Sequence, residues 1–316
     1  MMRFRVPMAE TIRASIDIGS HTARLLVCQK TRSSKGLRPL QRKRAYIRLA
    51  EGFYHHGSLT IQPEAVERAL GALEEFVTVA EKSRVESIQA VCTGVVREAE
   101  NRDDLLKQIL DRTGIQARII SGDEEARLTA KGVLYALRFQ GGPFMIFDLG
   151  GGSTEFVYGE QGHQRVQSLA LGAVVLTQKH LMSDPPGEEE MGALEREVDD
   201  LLKKAFPEAG FLEEESLLVG TGGTVTTLGA MLHHVDIEEI SPKRMNGLIL
   251  RKEQLEDLFD RLRTATLDER LELPGLDRGR AEVIPAGCAA VLRILRFFRS
   301  RQLVMSLSDL LEGMVL

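Results

Sequence analysis

The pattern that most constrains this chain occurs twice. Ala14-Ser15-Ile16-Asp17-Ile18-Gly19-Ser20-His21-Thr22-Ala23-Arg24-Leu25-Leu26-Val27 and Phe144-Met145-Ile146-Phe147-Asp148-Leu149-Gly150-Gly151-Gly152-Ser153-Thr154-Glu155-Phe156-Val157-Tyr158 share one plan. An apolar strand ends in aspartate, a glycine-bearing turn with hydroxyl residues follows, and a second apolar strand returns. Ile12, Ala14, Ile16 and Ile18 fall on one face, with the two-residue period of a half-buried strand. Glycine permits positive φ and lets backbone N–H groups approach an anion, so the Gly150–Thr154 turn is a candidate phosphate loop. Asp148 and Glu155 flank it, where hard oxygen ligands suit Mg²⁺. A third stretch, Leu217-Leu218-Val219-Gly220-Thr221-Gly222-Gly223-Thr224-Val225-Thr226-Thr227-Leu228, reads as a strand, a Gly/Thr loop and a helix start, a further anion site.

Two Asp–Gly hairpins and a later Gly-Thr-Gly-Gly loop predict two similar halves facing each other across a phosphate cleft. That is the α/β layout of two actin-like (ribonuclease-H-like) ATPase-fold domains, mixed sheets flanked by helices. Gly141-Gly142-Pro143 breaks the chain and sets the expected boundary. Residues 1–138 form the first domain, 139–300 the second, and 301–316 a terminal strand and helix packing back on the first. Pro63 opens a helix whose apolar stripe is Val66, Ala69, Leu70, Leu73, Phe76 and Val77. Ser183 to Gly192, polar and acidic, reads as a surface loop.

Size and composition narrow the classes. The 316 residues suffice for two ordinary domains, and 43% hydrophobic with 28% charged is ordinary globular composition. A net charge of −5 and the absence of Trp speak against a nucleic-acid partner. Cys28, Cys92 and Cys288 are odd in number and far apart, which reads as buried free thiols in a reducing, cytoplasmic setting. Met1 to Arg13 has no apolar core of a signal peptide, and no run is long enough to span a membrane.

Other residues carry candidate chemistry. Ser121 and Glu124 fit a capping box opening a helix to about Arg138. Glu124 and Glu125 read either as dipole-favoured surface acids or as a pair of which one faces the cleft and orients a water. Arg97, just past a strand end, is a planar fork for a phosphate or a surface arginine. Lys30 to Arg48 carries eight Lys/Arg and no acid, a solvated hairpin or a steering surface for a polyanion. His55 and His56 lack a partner at helical spacing and read as surface residues.

Together these stretches resemble the exopolyphosphatase / guanosine pentaphosphate phosphatase family, nearly end to end. The resemblance rests on Ile16-Asp17-Ile18-Gly19-Ser20, Leu59 through Arg68, Thr93…Arg97-Glu98-Ala99…Asn101 and Ser121-Gly122-Asp123-Glu124-Glu125-Ala126-Arg127. It continues through the Asp148–Glu155 loop, Leu171-Gly172-Ala173, Gly220-Thr221-Gly222-Gly223-Thr224 and Arg280…Ile284…Gly287. The length is similar to that of the two-domain members. The resemblance implies Glu125 as general base activating water for in-line attack on a terminal phosphoryl group. It implies Asp148 and Glu155, with Asp17, as the carboxylates at a divalent ion, Mg²⁺ or Mn²⁺, with K⁺ as an accessory ion. Ser20, Gly150, Gly151, Gly152, Ser153, Thr154, Gly222, Gly223 and Thr224 would hold phosphates, and Arg97 would neutralise the scissile group. A homodimer is a further expectation from relatives. Four positions depart from the family pattern: His21 for a usual Asn, Val175 for a frequent Arg, Asn246 for a frequent His, and Leu311 for an Arg before Glu312-Gly313.

The reading expected first is a Mg²⁺-dependent phosphohydrolase releasing orthophosphate from the end of inorganic polyphosphate. Guanosine pentaphosphate is the alternative substrate. A phosphate- or nucleotide-binding regulator with little turnover is a second alternative, motivated by the four departures. A sugar-kinase-like ATPase of the same fold is disfavoured by the Glu125 segment.

Overall fold

The computed structural model describes residues 11–30, 36–53, 59–160, 162–207 and 216–316, so His55 and His56 lie outside the described residues. The first lobe contains β1 (Thr11–Ile18), β2 (Thr22–Lys30), β3 (Leu37–Tyr46), α1 (Pro63–Lys82), β4 (Ser87–Cys92), α2 (Arg102–Thr113) and β5 (Ala117–Ile119). Helix α3 (Gly122–Ala136) then crosses to the second lobe, which begins with β6 (Phe144–Leu149), β7 (Thr154–Glu160) and β8 (His163–Leu169). There follow α4 (Ala173–His180), α5 (Glu188–Ala205), β9 (Leu217–Thr221), α6 (Gly223–Leu232), α7 (Pro242–Met245) and β10 (Ile249–Arg251). Helices α8 (Lys252–Thr264), α9 (Leu267–Leu271) and α10 (Ile284–Phe297), strand β11 (Gln302–Met305) and helix α11 (Leu310–Val315) complete the chain.

The repeat seen in the sequence is a repeat of topology. The first sheet runs β3-β2-β1-β4-β5, and the second runs β10-β11-β9-β6-β7-β8. Taken from its other edge, the second repeats the first, with β10 added beyond it. In each lobe an antiparallel hairpin abuts a parallel strand, β4 beside β1 and β9 beside β6. This pair of mixed sheets with flanking helices is the actin-like ATPase fold. The half-buried alternation expected in β1 is not what forms: Ala14, Ile16 and Ile18 are fully buried on one face, but Ser15 and Asp17 on the other are buried too, beneath α11 and the cleft.

Each helix follows from its sequence and its neighbours. The α1 stripe packs into the main core, with only Val77 part-buried. Helix α3 lays Ala126, Ala130 and Val133 on Phe144, Ile146, Val157 and Val219 of the second sheet. Helix α11 returns to the first sheet, placing Leu311 and Val315 on Leu26 and Cys28, and Leu310 and Met314 on Val91 and Ile120. Helices α3 and α11 approach so closely that a Cβ at Gly132 would strike the Asp309 carbonyl, and one at Gly313 the Leu128 carbonyl. Strand β11, by contrast, belongs to the second sheet.

Two local expectations change. The Ser183–Gly192 stretch is helical from Glu188. Its glutamates sit in the first turn, where the helix dipole favours them, and Glu190 accepts from the N–H groups of Met182, Ser183 and Gly187. The box at Ser121 is half made: its hydroxyl accepts from Glu124 N at 3.1 Å, while the Glu124 carboxylate pairs with Arg118. No helix among the described residues is long and apolar enough to cross a membrane. All three cysteines are buried and free.

Candidate active site

The lobes enclose a cavity of about 380 Å³ between the two hairpin turns and the Gly222 loop. Asp17, Ser20, Glu125, Asp148, Gly150, Gly151, Gly152, Ser153, Glu155, Gly222 and Gly223 line it. Arg97, on the 3₁₀ turn Gly94–Arg97 that follows β4, does not itself line the cavity but holds residues that do. Its guanidinium pairs with Glu125 and also meets Glu155 Oε1 at 3.3 Å and Ser153 Oγ at 3.2 Å. Burial works against that charge, but Glu125 and Glu155 outweigh it and raise the Arg97 pKa. Residues from three separate stretches therefore meet in one buried cluster.

Each hairpin sets its acid by register. Asp17 lies opposite Arg24 across β1–β2, and Asp148 lies opposite Glu155 across β6–β7. Arg24 donates to Asp17 Oδ2 through Nη2 at 2.7 Å and Nε at 3.0 Å, and also pairs with Asp309. Thr93 Oγ1 donates to Asp17 Oδ1 at 3.1 Å, so both oxygens of Asp17 are engaged. The second hairpin places two acids side by side. Burial first, then Asp309, pushes the Asp148 carboxyl up to about 8, against the pull of Arg24. Burial and Asp148 push Glu155 up to about 7, with Arg97, Ser153 and Ser168 opposing. Burial and Glu155 hold Glu125 well above the carboxylate range despite Arg97.

That surplus of buried acid is what a divalent cation relieves. Among the described residues no three carboxylates, histidines or thiols converge into a complete metal cage. Mg²⁺ keeps several waters and takes only one or two carboxylates beside substrate oxygens, so the Asp148–Glu155 pair fits that mode. Asp17 fits it less well, because its oxygens already hold Arg24 and Thr93.

The glycine loops are built for close approach. A Cβ at Gly152 would lie 2.7 Å from Ser20 Oγ, and one at Gly222, where φ is +95°, 2.7 Å from Asp148 Oδ1. Gly222 precedes α6, whose N-terminal N–H groups and dipole end face the same cavity. Ser20 Oγ accepts from Val95 N at 3.0 Å, tying the first turn to the Arg97 turn. Two residues expected in the phosphate loops lie elsewhere. Thr154 is fully buried with its hydroxyl donating to the Leu171 carbonyl, and Thr224 is buried against Gly287; neither lines the cavity. Both alternate away from the cleft, whereas Thr226, one turn into α6, lines it.

Several residues were not anticipated. Arg24 stands as far beyond Asp17 as Glu155 stands beyond Asp148, so aligning the repeats pointed to it. Arg280 is buried with its guanidinium over Gly223 and, among the described residues, no partner on Nε, and burial lowers its pKa. Asp309 caps α11 and holds Arg24. The basic stretch forms a largely exposed edge hairpin with β2: Arg38, Lys43, Arg44 and Arg48 are exposed, Arg42 pairs with Glu312 and Arg44 with Asp277, and Arg42, Lys43 and Arg44 line the cavity. Its Arg32 and Lys35 lie outside the described residues.

Most of the departures have structural roles. Burial, then Arg280, lowers the His21 pKa to about 4, so the ring is neutral and donates Nε2–H to the Gly279 carbonyl at 3.0 Å. Asn246 Oδ1 accepts from Leu307 N at 2.6 Å and fixes the approach to Asp309. Leu311 is buried against Leu26, while nothing in the structure explains valine at position 175.

Known proteins resemble the chain throughout its length. Residues 26–316 match the Ppx/GppA phosphatase family. Exopolyphosphatase 2 of Mycobacterium tuberculosis is 33% identical over 98% of this chain and 99% of its own. The crystal structure of the Aquifex aeolicus member of the Ppx/GppA family superposes with a TM-score of 0.80 at 29% identity, covering 97% of each chain. An exopolyphosphatase from Cytophaga hutchinsonii superposes with a TM-score of 0.85 at 26% identity over 96% of each. The repeated hairpins, the cleft they form and the end-to-end match place this chain in the Ppx/GppA phosphatase family.

Proposed function

We propose that the chain hydrolyses the terminal phosphoanhydride bond of inorganic polyphosphate, releasing orthophosphate. The observation that carries this reading is the convergence of Glu125, Asp148 and Glu155 in one cavity bounded by glycine loops. Those loops offer N–H donors and no bulk, which suits repeating phosphates more than any particular head group.

Glu125 takes a proton from a water whose oxygen bonds to the terminal phosphorus. The bridging P–O bond breaks, and the shortened chain leaves with its oxyanion. Burial suits Glu125 to this task, because a raised pKa brings a carboxylate base nearer to working pH. Arg97 holds Glu125 in the ligand-free cleft, and an entering phosphoryl group competes for the same guanidinium, freeing the base. Asp148 and Glu155 would hold Mg²⁺, which would supply positive charge to the phosphoryl oxygens. Gly150–Ser153 and Gly222–Gly223 position the chain, and positioning with charge stabilisation is most of what phosphoryl transfer requires.

A nucleotide substrate such as guanosine pentaphosphate is the second reading. Ile237, Ile240 and Leu307 line the same cavity, an apolar surface that bare polyphosphate does not use but a purine would. Timed orthophosphate release from polyphosphate, guanosine pentaphosphate and ATP, with Mg²⁺ or chelator, separates the readings. Release from polyphosphate is expected to disappear with chelator and to fall by about 10²–10⁴ in Glu125→Gln. Release indifferent to that substitution overturns the assigned base, and binding without release points to a regulator.

A further inference from the structure

Ser168 stands where two parts of the cleft touch, although it does not itself line the cavity. It lies directly across β7–β8 from Glu155, on the same face of the sheet. Its Oγ donates to Glu155 Oε1 at 3.0 Å. Ser153 Oγ at 2.7 Å and Arg97 Nη2 at 3.3 Å converge on that same oxygen. Among the described residues Oε2 receives no hydrogen bond, so one oxygen is anchored and the other is left for the cleft.

The other side of Ser168 meets the helix that carries Glu125. Gly122, the first residue of α3, packs so closely that a Cβ there would lie 2.7 Å from both Ser168 Cβ and Oγ. Glu125 follows within the same first turn. Ser168 therefore fixes the rotation of Glu155 and also forms the surface against which the Glu125 helix is seated. A hydroxyl small enough to accept Gly122 and long enough to reach Oε1 does both; a larger side chain would push the helix away.

We propose that Ser168 is a positioning residue that anchors Glu155 Oε1 so that Oε2 is presented to a divalent cation, at a distance from Glu125 set by its contact with Gly122. This rests on Glu155 as a metal-holding carboxylate. Outer-shell partners of metal-binding carboxylates commonly matter about 10–100-fold in affinity or activity.

The test uses Mn²⁺ binding to the substrate-free enzyme, read as the electron paramagnetic resonance signal of the free ion, beside turnover as a function of Mg²⁺. Ser168→Ala is expected to bind Mn²⁺ about 10-fold more weakly and to need correspondingly more Mg²⁺, with turnover at saturating Mg²⁺ little changed. Ser168→Thr keeps the donor but adds a methyl where Gly122 packs, so it is expected to bind Mn²⁺ more tightly than Ser168→Ala while losing turnover at saturating Mg²⁺. Should Ser168→Ala fail to fold, Ser168→Cys, close in shape with a weak donor, carries the same expectation. Unchanged Mn²⁺ affinity in the Ala or Cys variant, with Glu155→Gln weakened, overturns the role of Ser168 and leaves Glu155 in place. Unchanged affinity in Glu155→Gln overturns the metal assignment beneath it.

Discussion

The hairpins β1–β2 and β6–β7 have the same backbone plan and opposite electrostatics. In the first, the residue facing Asp17 is Arg24, and the pair neutralises itself. In the second, the residue facing Asp148 is Glu155; burial raises both acids, with Asp148 adding to the rise of Glu155 and Asp309 to that of Asp148. One hairpin carries its own cation, and on the proposed function the other takes one from solution. The two hairpins share a frame, and on the proposed function a single cross-strand position, Arg24 or Glu155, separates the structural half from the chemical one.

The largest expected effect comes from making the second hairpin a copy of the first. Glu155→Arg would pair with Asp148 as Arg24 pairs with Asp17. Divalent binding should be lost, and turnover should fall by about 10³ or more, since the charge stabilisation concentrated at such a site is usually the largest catalytic contribution. Orthophosphate release and Mn²⁺ titration of the purified variant check this. Retained Mg²⁺-dependent release would mean that the two hairpins do not divide the work in this way.

Removing the cation of the first hairpin should instead be felt in stability. Arg24→Gln leaves Asp17 and Asp309 buried beside Asp148 without their guanidinium. Breaking one side of a buried pair costs about 3–5 kcal/mol, and the part-exposed Arg24 side chain places the expectation at the lower end. Denaturant unfolding measures it. A change near zero would show that Arg24 serves the ligand rather than the fold.

The fold was legible because it is periodic. Repeated strands, a proline-started helix and glycine-marked turns are local signals, and the duplicated sheet order follows from reading Asp17 under Asp148. Glu125, Asp148, Glu155 and the glycines of the loops were legible because their chemistry lies within short motifs. Thr154 and Thr224 misled because a hydroxyl beside a glycine loop looks the same in sequence whichever face it takes; the strand and helix registers turn both inward. Arg280, Asp309 and Ser168 were invisible for a different reason. Each reaches the site from a distant part of the chain, over Gly223, onto Arg24 or across a strand pair, and only the tertiary fold supplies that proximity. The Arg42 and Arg44 ion pairs likewise needed partners far away in sequence, Glu312 and Asp277.

The smallest effect is a pH dependence centred on the second hairpin, with Glu125 raised in the same direction and His21, lowered to about 4, opposing it below the ordinary histidine range. In the folded, metal-free chain Asp148 is raised from 3.8 to about 8 and Glu155 from 4.5 to about 7. The folded state therefore holds protons that the unfolded state has released. Stability from these groups is fully present below about pH 4 and is lost as pH rises toward 8, by on the order of 1 kcal/mol per unit for each of the two groups. Over pH 5.5 to 8.5, metal-free Tm is expected to fall by a few degrees, scaled to a chain of this size. Only ionised carboxylates bind a divalent ion, so added Mg²⁺ should raise Tm more at pH 8.5 than at 5.5. Glu155→Gln should flatten the metal-free slope, because the proton that Glu155 takes up on folding is then removed from the balance. Arg24→Gln should not flatten it, because that arginine only opposes the rise of Asp148. A metal-free Tm that climbs with pH, or a slope that follows Arg24 instead of Glu155, would erase the distinction between the two hairpins.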